Sequence, residues 1–265
     1  MRFAVIVPVH NRDQSLDLSL SSIAAQHLKP FQVVVIDDCS DERFYLSILT
    51  VVFKYKSVLN ITFERNSSNL GPSLTRNIGI GLVDASVTHI AFLDSDDTWK
   101  PSKLDILKQT FTSHQCQVVL HAFSLPGKAF DDINTDGNKV MYQSHDVKIL
   151  PTLIQNPCQT SCLSFLASTN LSFPLNQRYS EDYSLVLSAL ADGFKCMYLT
   201  SELAVLGRPQ LTKGGLSSNR NMMRLGEIKA YASYFKKIKQ AWLIPFFIFF
   251  SVCKHIVSGL KCFVF

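Results

Sequence analysis

Charge is scarce in this chain: Asp, Glu, Lys and Arg make up 18% of its 265 residues, against 47% hydrophobic residues. So apolar a composition belongs to a chain that buries a core, and it excludes a disordered segment and a coiled coil. Glycine and proline are few, at 11 and 10, which excludes a collagen repeat, and no low-complexity tract or internal repeat is visible. A membrane-spanning helix needs roughly 20 apolar residues; the stretch from Ala241 to Val252 covers 12. The seven cysteines, at 39, 116, 158, 162, 196, 253 and 262, are odd in number and scattered. Cys158 and Cys162 lack the second pair or nearby histidine of a zinc site. No secretory signal pattern precedes the first apolar run, so the expectation is reduced thiols in a cytosolic protein.

Negative charge is almost missing from the C-terminal part. Residues 208–265 carry ten Lys and Arg against Glu227 alone, whereas residues 1–207 carry 16 against 20 acidic residues. The net charge of +5 is therefore a property of the tail, and it suits an anionic partner.

What is present is an alternation of short apolar runs and helical patterns. Phe3 to Pro8 and Val33 to Ile36 are continuous, β-branched and too short for helices, so they read as buried parallel strands. Between them Leu16, Leu20, Ile23 and Ala24 recur at helical spacing, and Lys29-Pro30 ends the pattern. Strands at Ile61–Glu64 and His89–Leu93 flank a helix at Pro72–Val83, which has proline near its start. A helix over 101–111 and a strand over 117–123 follow. Residues 124–145 read as a loop or hairpin. Leu163–Ala167 is strand-like, and Ser180 reads as the cap of a helix that runs to Ala191 and ends at Gly193. After Gly215 a polar helix runs to Lys239 and precedes the apolar stretch. Basic helix, Trp and Phe together suit a segment lying on an anionic membrane surface. The expected fold class is α/β, a mostly parallel, Rossmann-like sheet flanked by helices.

In an open α/β sheet ligands bind beyond the carboxyl ends of the strands, and the polar clusters of this sequence fall there. Strand one ends in Pro8-Val-His-Asn-Arg12, strand two in Asp37-Asp-Cys-Ser40, and the strand near residue 90 in Asp94-Ser-Asp-Asp97. Asp37 and Asp38 can only accept hydrogen bonds, as the N–H and hydroxyl groups of a base or ribose require. Asp94, Asp96 and Asp97 offer hard oxygens suited to Mg²⁺ or Mn²⁺ on a diphosphate. An acidic pair after a strand is as often a turn former, but three clusters at successive strand ends point to a site. Asp94-Ser-Asp-Asp-Thr98 also matches the D-x-D-x-T of haloacid-dehalogenase-like phosphatases, with Asp94 as nucleophile. That family carries Gly where Asp97 stands, and no later Gly-Asp acidic motif is found. A non-catalytic nucleotide-binding protein is the other alternative. The aromatic residues beside the basic segment favour lipid over nucleic acid.

Five ordered motifs, Val5-Ile-Val-Pro-Val-His-Asn11, Val34-Val-Ile-Asp-Asp-Cys-Ser40, Asn69-Leu-Gly-Pro-Ser-Leu-Thr-Arg-Asn77, Phe92-Leu-Asp-Ser-Asp-Asp97 and Ser180-Glu-Asp182, resemble the signatures of family 2 inverting glycosyltransferases of the GT-A fold. The sequence looks closest to bacterial enzymes of surface-polysaccharide assembly, because Lys213-Gly-Gly-Leu-Ser-Ser218 resembles a motif near their C-termini. The resemblance implies a catalytic domain over 1–205 and a basic, then apolar, helical tail over 206–265. It implies that Pro8, His10, Asp37, Asp38, Arg76, Asn77 and Asp94 bind a nucleotide-diphospho-sugar, UDP-linked. Asp38 would accept from uracil, and Asn77 would hold its local turn. Asp96, with Asp94 and Asp97, would hold a divalent cation, and Asp182 would be the base, assisted by Glu181. The implied acceptor is a saccharide, lipid-linked, at the cytoplasmic membrane face. Cys39 departs from the family's usual Gly, and the role of Arg208 stays open.

Overall fold

The computed structural model describes residues 1–127, 143–208 and 218–261, with side chains up to residue 254. Most of the expected loop over 124–145, the greater part of the Lys213–Ser218 motif, and Cys262 lie outside the described residues.

The elements run β1 (Phe3–Val9), α1 (Asp13–Ala24), β2 (Gln32–Asp37), α2 (Glu42–Tyr55), β3 (Ile61–Arg65), α3 (Pro72–Gly81), β4 (His89–Phe92), β5 (Thr98–Trp99), α4 (Lys103–His114), β6 (Val118–Ser124), β7 (Ser144–Asp146), α5 (Ile149–Ile154), β8 (Leu163–Leu166), α6 (Glu181–Ala191), β9 (Cys196–Val205), α7 (Arg220–Lys237) and α8 (Ile244–Lys261). One sheet takes the order β3-β2-β1-β4-β8-β6-β9-β5, and β7 also pairs with β9. The β3-β2-β1-β4 half is parallel throughout. β8 joins it antiparallel to β4 and β6, while β6 and β9 are parallel to each other.

Strand periodicity divides the core. Val5, Val7 and Val9 of β1 and Val33 and Val35 of β2 point into one layer with Leu16, Leu20 and Ile23 of α1. Ala4 and Ile6 of β1 and Val34 and Ile36 of β2 point into the other, with Leu185, Val186 and Ala189 of α6. Both faces are buried, which is why these strands read as continuous apolar runs rather than alternating ones. Each such side chain contributes roughly 1.5–3 kcal/mol when fully removed from water.

One expectation is corrected. Ser180 does not cap α6: its φ is 53° with no side-chain cap bond, and its hydroxyl donates to Met223 O. The expected polar helix is α7, and one face of it is buried, where Ala230, Tyr231, Tyr234 and Phe235 pack with Leu153 of α5 and Tyr183 and Leu187 of α6. The elements α2, β5, β7, α5 and β9 extend the expected pattern. Among the described residues no helix is long and apolar enough to cross a membrane.

Candidate active site

The carboxyl ends of β1 and β4, the N-terminal ends of α3, α6 and α7, and the end of β9 surround one cleft of about 910 Å³. Pro8, His10, Asp38, Arg76, Asp94, Asp96, Asp97, Glu181 and Asp182 all line it, so residues 174 positions apart in sequence meet on one rim. Asp37 and Asn77, expected among the donor-binding residues, are not part of the lining. Asp37 is wholly buried, accepts from the Ser40 backbone at 3.1 Å and lies 3.2 Å from Arg65 Nε. It holds the turn after β2. Asn77 clasps Phe173 in both directions, donating to its carbonyl and accepting from its N–H at 2.8 Å each.

Asp38 pins the segment leading into α3. Its carboxylate accepts from Asn66 Nδ2 at 2.8 Å, Leu70 N at 2.8 Å and Gly71 N at 2.9 Å. Two carboxylate oxygens have about four lone-pair directions, so one remains for a ligand. His10 is exposed and contacts Asp38 O through Nδ1 at 3.0 Å.

Arg76 is the buried cation of the site. Its Nη1 donates to Glu181 Oε1 at 2.8 Å and its Nη2 to Asp94 Oδ1 at 2.6 Å. Burial works against its charge, but the two carboxylates outweigh burial and hold its pKa above the usual arginine value. Glu181 is raised above the usual carboxylate range by burial, against the opposing pull of Arg76. Asp182 is pushed up to about 7 by burial first and by the Glu181 charge second. Its Oδ1 accepts from its neighbour's backbone, Tyr183 N, at 2.7 Å, and no cation pairs with it among the described residues. A carboxylate with a pKa near neutrality, facing a cleft, is suited to taking a proton.

The Asp94–Asp97 loop is fixed from outside the motif. Ser161, in the turn before β8, accepts from Asp94 N at 3.0 Å and donates to Asp97 Oδ2 at 2.5 Å. Gly207 N donates to Asp97 Oδ1 at 2.9 Å. A Cβ at Gly207 would lie 1.8 Å from Asp96 O, so only glycine allows the end of β9 to approach this loop so closely. Burial, then the charges of Asp94 and Asp96, push Asp97 up to about 7. Arg12 and Arg208 converge on Asp96: Arg208 donates through Nη2 at 2.6 Å and Nε at 3.1 Å, and Arg12 through Nη1, all to Oδ2.

The expected three-carboxylate metal set does not assemble, and no group of three His, Cys, Asp or Glu among the described residues is placed to hold an ion. Asp94 is turned to Arg76 and Asp97 to Ser161 and Gly207, which leaves Asp96, whose Oδ1 takes part in none of these bonds. One carboxylate fits a cation whose remaining ligands are phosphate oxygens and water, the usual environment of Mg²⁺ on a nucleotide. The motif residues were legible in the sequence, as was the glycine-arginine pair 207–208. Ser161 gave no signal, because its partners are 58 to 67 positions away.

This cleft, at the strand ends of a sheet with a parallel half and walled by aspartates and arginines, defines a GT-A glycosyltransferase fold. The structure of Staphylococcus aureus TarS 1–349 in complex with UDP-GlcNAc aligns with a TM-score of 0.66 at 20% identity, over 89% of this chain and 72% of that one. The mannosyltransferase PcManGT from Pyrobaculum calidifontis, in complex with GDP-Man and Mn²⁺, also gives 0.66, at 13% identity over 98% and 75%. The chain belongs to glycosyl transferase family 2, which matches residues 4–167. Among sequences, the S. aureus poly(ribitol-phosphate) beta-N-acetylglucosaminyltransferase TarS is 25% identical over 215 residues, 76% of this chain and 35% of its own length. The Escherichia coli UDP-Glc:alpha-D-GlcNAc-diphosphoundecaprenol beta-1,3-glucosyltransferase WfgD is 24% identical over 97% of this chain and 93% of its own. The chain thus spans about a third of the length of TarS and nearly all of WfgD. The phosphatase alternative falls with the family assignment and with Asp94, which is ion-paired to Arg76 rather than held as a nucleophile.

Proposed function

We propose that this chain is an inverting glycosyltransferase that moves a sugar from a UDP-linked donor to a hydroxyl of a lipid-linked saccharide in surface-polysaccharide assembly. The observation that carries the reading is Asp182, a cleft-lining carboxylate without a paired cation among the described residues, held near neutral pKa beside the ion-paired Arg76–Glu181 couple. The accepting hydroxyl has a pKa far above neutrality, so its proton must leave as the new bond forms, and Asp182 takes it. Glu181 keeps Asp182 protonatable through its charge and is itself oriented by Arg76. Attack from the side of Asp182, opposite the leaving diphosphate, inverts the anomeric centre.

Pro8 and His10 line the nucleotide end, and the remaining lone pair of Asp38 receives an N–H of the base. Arg12 and Arg208, already gathered at Asp96, bring positive charge to the diphosphate. A divalent cation, Mn²⁺ or Mg²⁺, would be held by Asp96 through the carboxylate oxygen that no arginine takes, and would supply charge that stabilises the departing diphosphate. Peripheral association with an anionic membrane at its cytoplasmic face is supported by Trp242, Phe246 and Phe249, which are 75%, 61% and 68% exposed beside the basic helix α7.

The test is incubation of the full chain with a panel of UDP-sugars and an N-acetylglucosaminyl diphospholipid acceptor. UDP release coupled to a product of inverted configuration by NMR is expected. Donor binding without turnover on any acceptor would favour the non-catalytic alternative.

A further inference from the structure

Among the described residues four guanidinium groups line the cleft, and three of them are ion-paired. Arg76 pairs with Glu181 and Asp94, and Arg12 and Arg208 pair with Asp96. The fourth, Arg178, lines the cleft and is exposed, and no carboxylate among the described residues pairs with it. It stands four positions before Asp182 in the sequence, and Tyr179, Asn156, Ser218 and Asn219, the last of these the N-cap of α7, also line the cleft.

The segment that carries Arg178 is built to hold it. Gln177 is buried, and its side-chain amide reaches Tyr179 O at 2.9 Å, Ser180 O at 3.0 Å and Gly226 O at 3.1 Å. The amide oxygen of Gln177 accepts from Ser184 Oγ at 3.0 Å, and its carbonyl accepts from Ser73 on α3. A Cβ at Gly226 would lie 2.2 Å from Tyr179 O, so α7 is in backbone contact with this segment. Ser180 is held at a φ of 53°, a conformation that non-glycine residues adopt at a cost. The contacts of Gln177 and a left-handed residue fix the backbone on both sides of an arginine that has no charge partner among the described residues.

Resting on the glycosyltransferase reading, we propose that Arg178 is the anion anchor of the acceptor subsite, and that the acceptor carries a phosphate or diphosphate next to the sugar presented to Asp182. A planar guanidinium binds phosphate oxygens in a bidentate, charge-assisted manner, and a preorganised backbone spares the ordering cost of that contact. The basic turn of α7 adds longer-range attraction for the same charge. The phosphate can come from a lipid diphosphate or from a polyol-phosphate chain, and both present the same group.

The test is calorimetric titration of the full chain saturated with UDP, so that the donor diphosphate site is filled. The probes are geranyl diphosphate and ribitol 5-phosphate, with geraniol and ribitol as uncharged controls. At least one phosphate probe binds the wild type and its uncharged control does not, and the probe that binds more tightly names the source. Arg178→Ala weakens that binding tenfold or more, Arg178→Glu abolishes it, and Arg178→Lys restores part of it, while the affinity for UDP stays within about twofold in all three. Unchanged probe affinity in Arg178→Ala overturns the proposal. So does an equal loss of UDP affinity, which would move Arg178 to the donor site, and so does failure of both probes on the wild type. If UDP itself did not bind, the donor reading would fail first and this one with it, and the two failures are told apart in the same titration.

Discussion

Arg76 Nη1 lies 2.8 Å from Glu181 Oε1, a pair that joins α3 to α6 across 105 positions of sequence. The same guanidinium holds Asp94 at 2.6 Å, so one buried cation ties the Asp94–Asp97 loop to the segment that carries Asp182. A buried charge of this kind is stable only with its partners in place.

Arg76→Ala therefore leaves the buried Glu181 carboxylate, and the half-buried Asp94 beside it, without a counter-charge. A loss of about 3–5 kcal/mol is expected, read as a lowered midpoint in chemical denaturation. A variant within 1 kcal/mol of wild type, on the order of an exposed ion pair, would show the pair to be solvated.

The pH dependence follows from Asp182. A base must be ionised to accept a proton, so the turnover rate rises about tenfold per pH unit below about 7 and levels off above it. Asp182→Asn lowers turnover by about 10²–10⁴ and leaves UDP affinity within about twofold, because a base acts mainly in the transition state. Its stability has the opposite sign. The native pKa is raised from 3.8 to about 7, so between these values the folded state keeps a proton that the unfolded chain has released. The contribution favours the fold below the window and is lost as pH rises through it. Denaturation of Asp182→Asn should show it gaining stability relative to wild type as pH rises from about 4 to about 7, and no further gain above that.

Cys39 sits at a φ of 59° in the turn after β2, where a Cβ crowds the neighbouring carbonyl. The family's usual glycine at this place would relieve the crowding, at some entropic cost in the unfolded chain. Cys39→Gly is expected to raise stability by up to about 1 kcal/mol, checked by thermal melting. A lower melting temperature would contradict it.

Trp242, Phe246 and Phe249 are mostly exposed and are not among the residues of the cluster that holds Phe247, which Phe246 meets only edge-on at 5.3 Å, so they can be changed with little effect on the core. The triple substitution to serine should abolish sedimentation with anionic liposomes and leave the melting temperature nearly unchanged. Sedimentation equal to wild type would remove this face from membrane contact.

The parallel half of the sheet was legible because β1 and β2 are short β-branched runs buried on both faces, a pattern that few other arrangements produce. α2 was not, although Ile48, Val52 and Tyr55 recur at helical spacing and are buried, because the run Leu49 to Phe53 mixes strand-forming residues into that face. β9 takes its place by pairing with β5, β6 and β7, contacts that no local pattern encodes. At the site, the carboxylates were readable from their positions at strand ends. Their pairing was not: Arg208 meets Asp96 over 112 positions, Arg76 holds Asp94 and Ser161 and Gly207 hold Asp97, none of which shows in a local pattern.

The most direct measurement is calorimetric titration of the full chain with UDP in Mn²⁺ and again in EDTA, for wild type and Asp96→Ala. Saturable binding of UDP to the wild type is expected, weakened at least tenfold by EDTA and by Asp96→Ala alike. Absence of UDP binding under every condition would contradict the account of this cleft as a donor site.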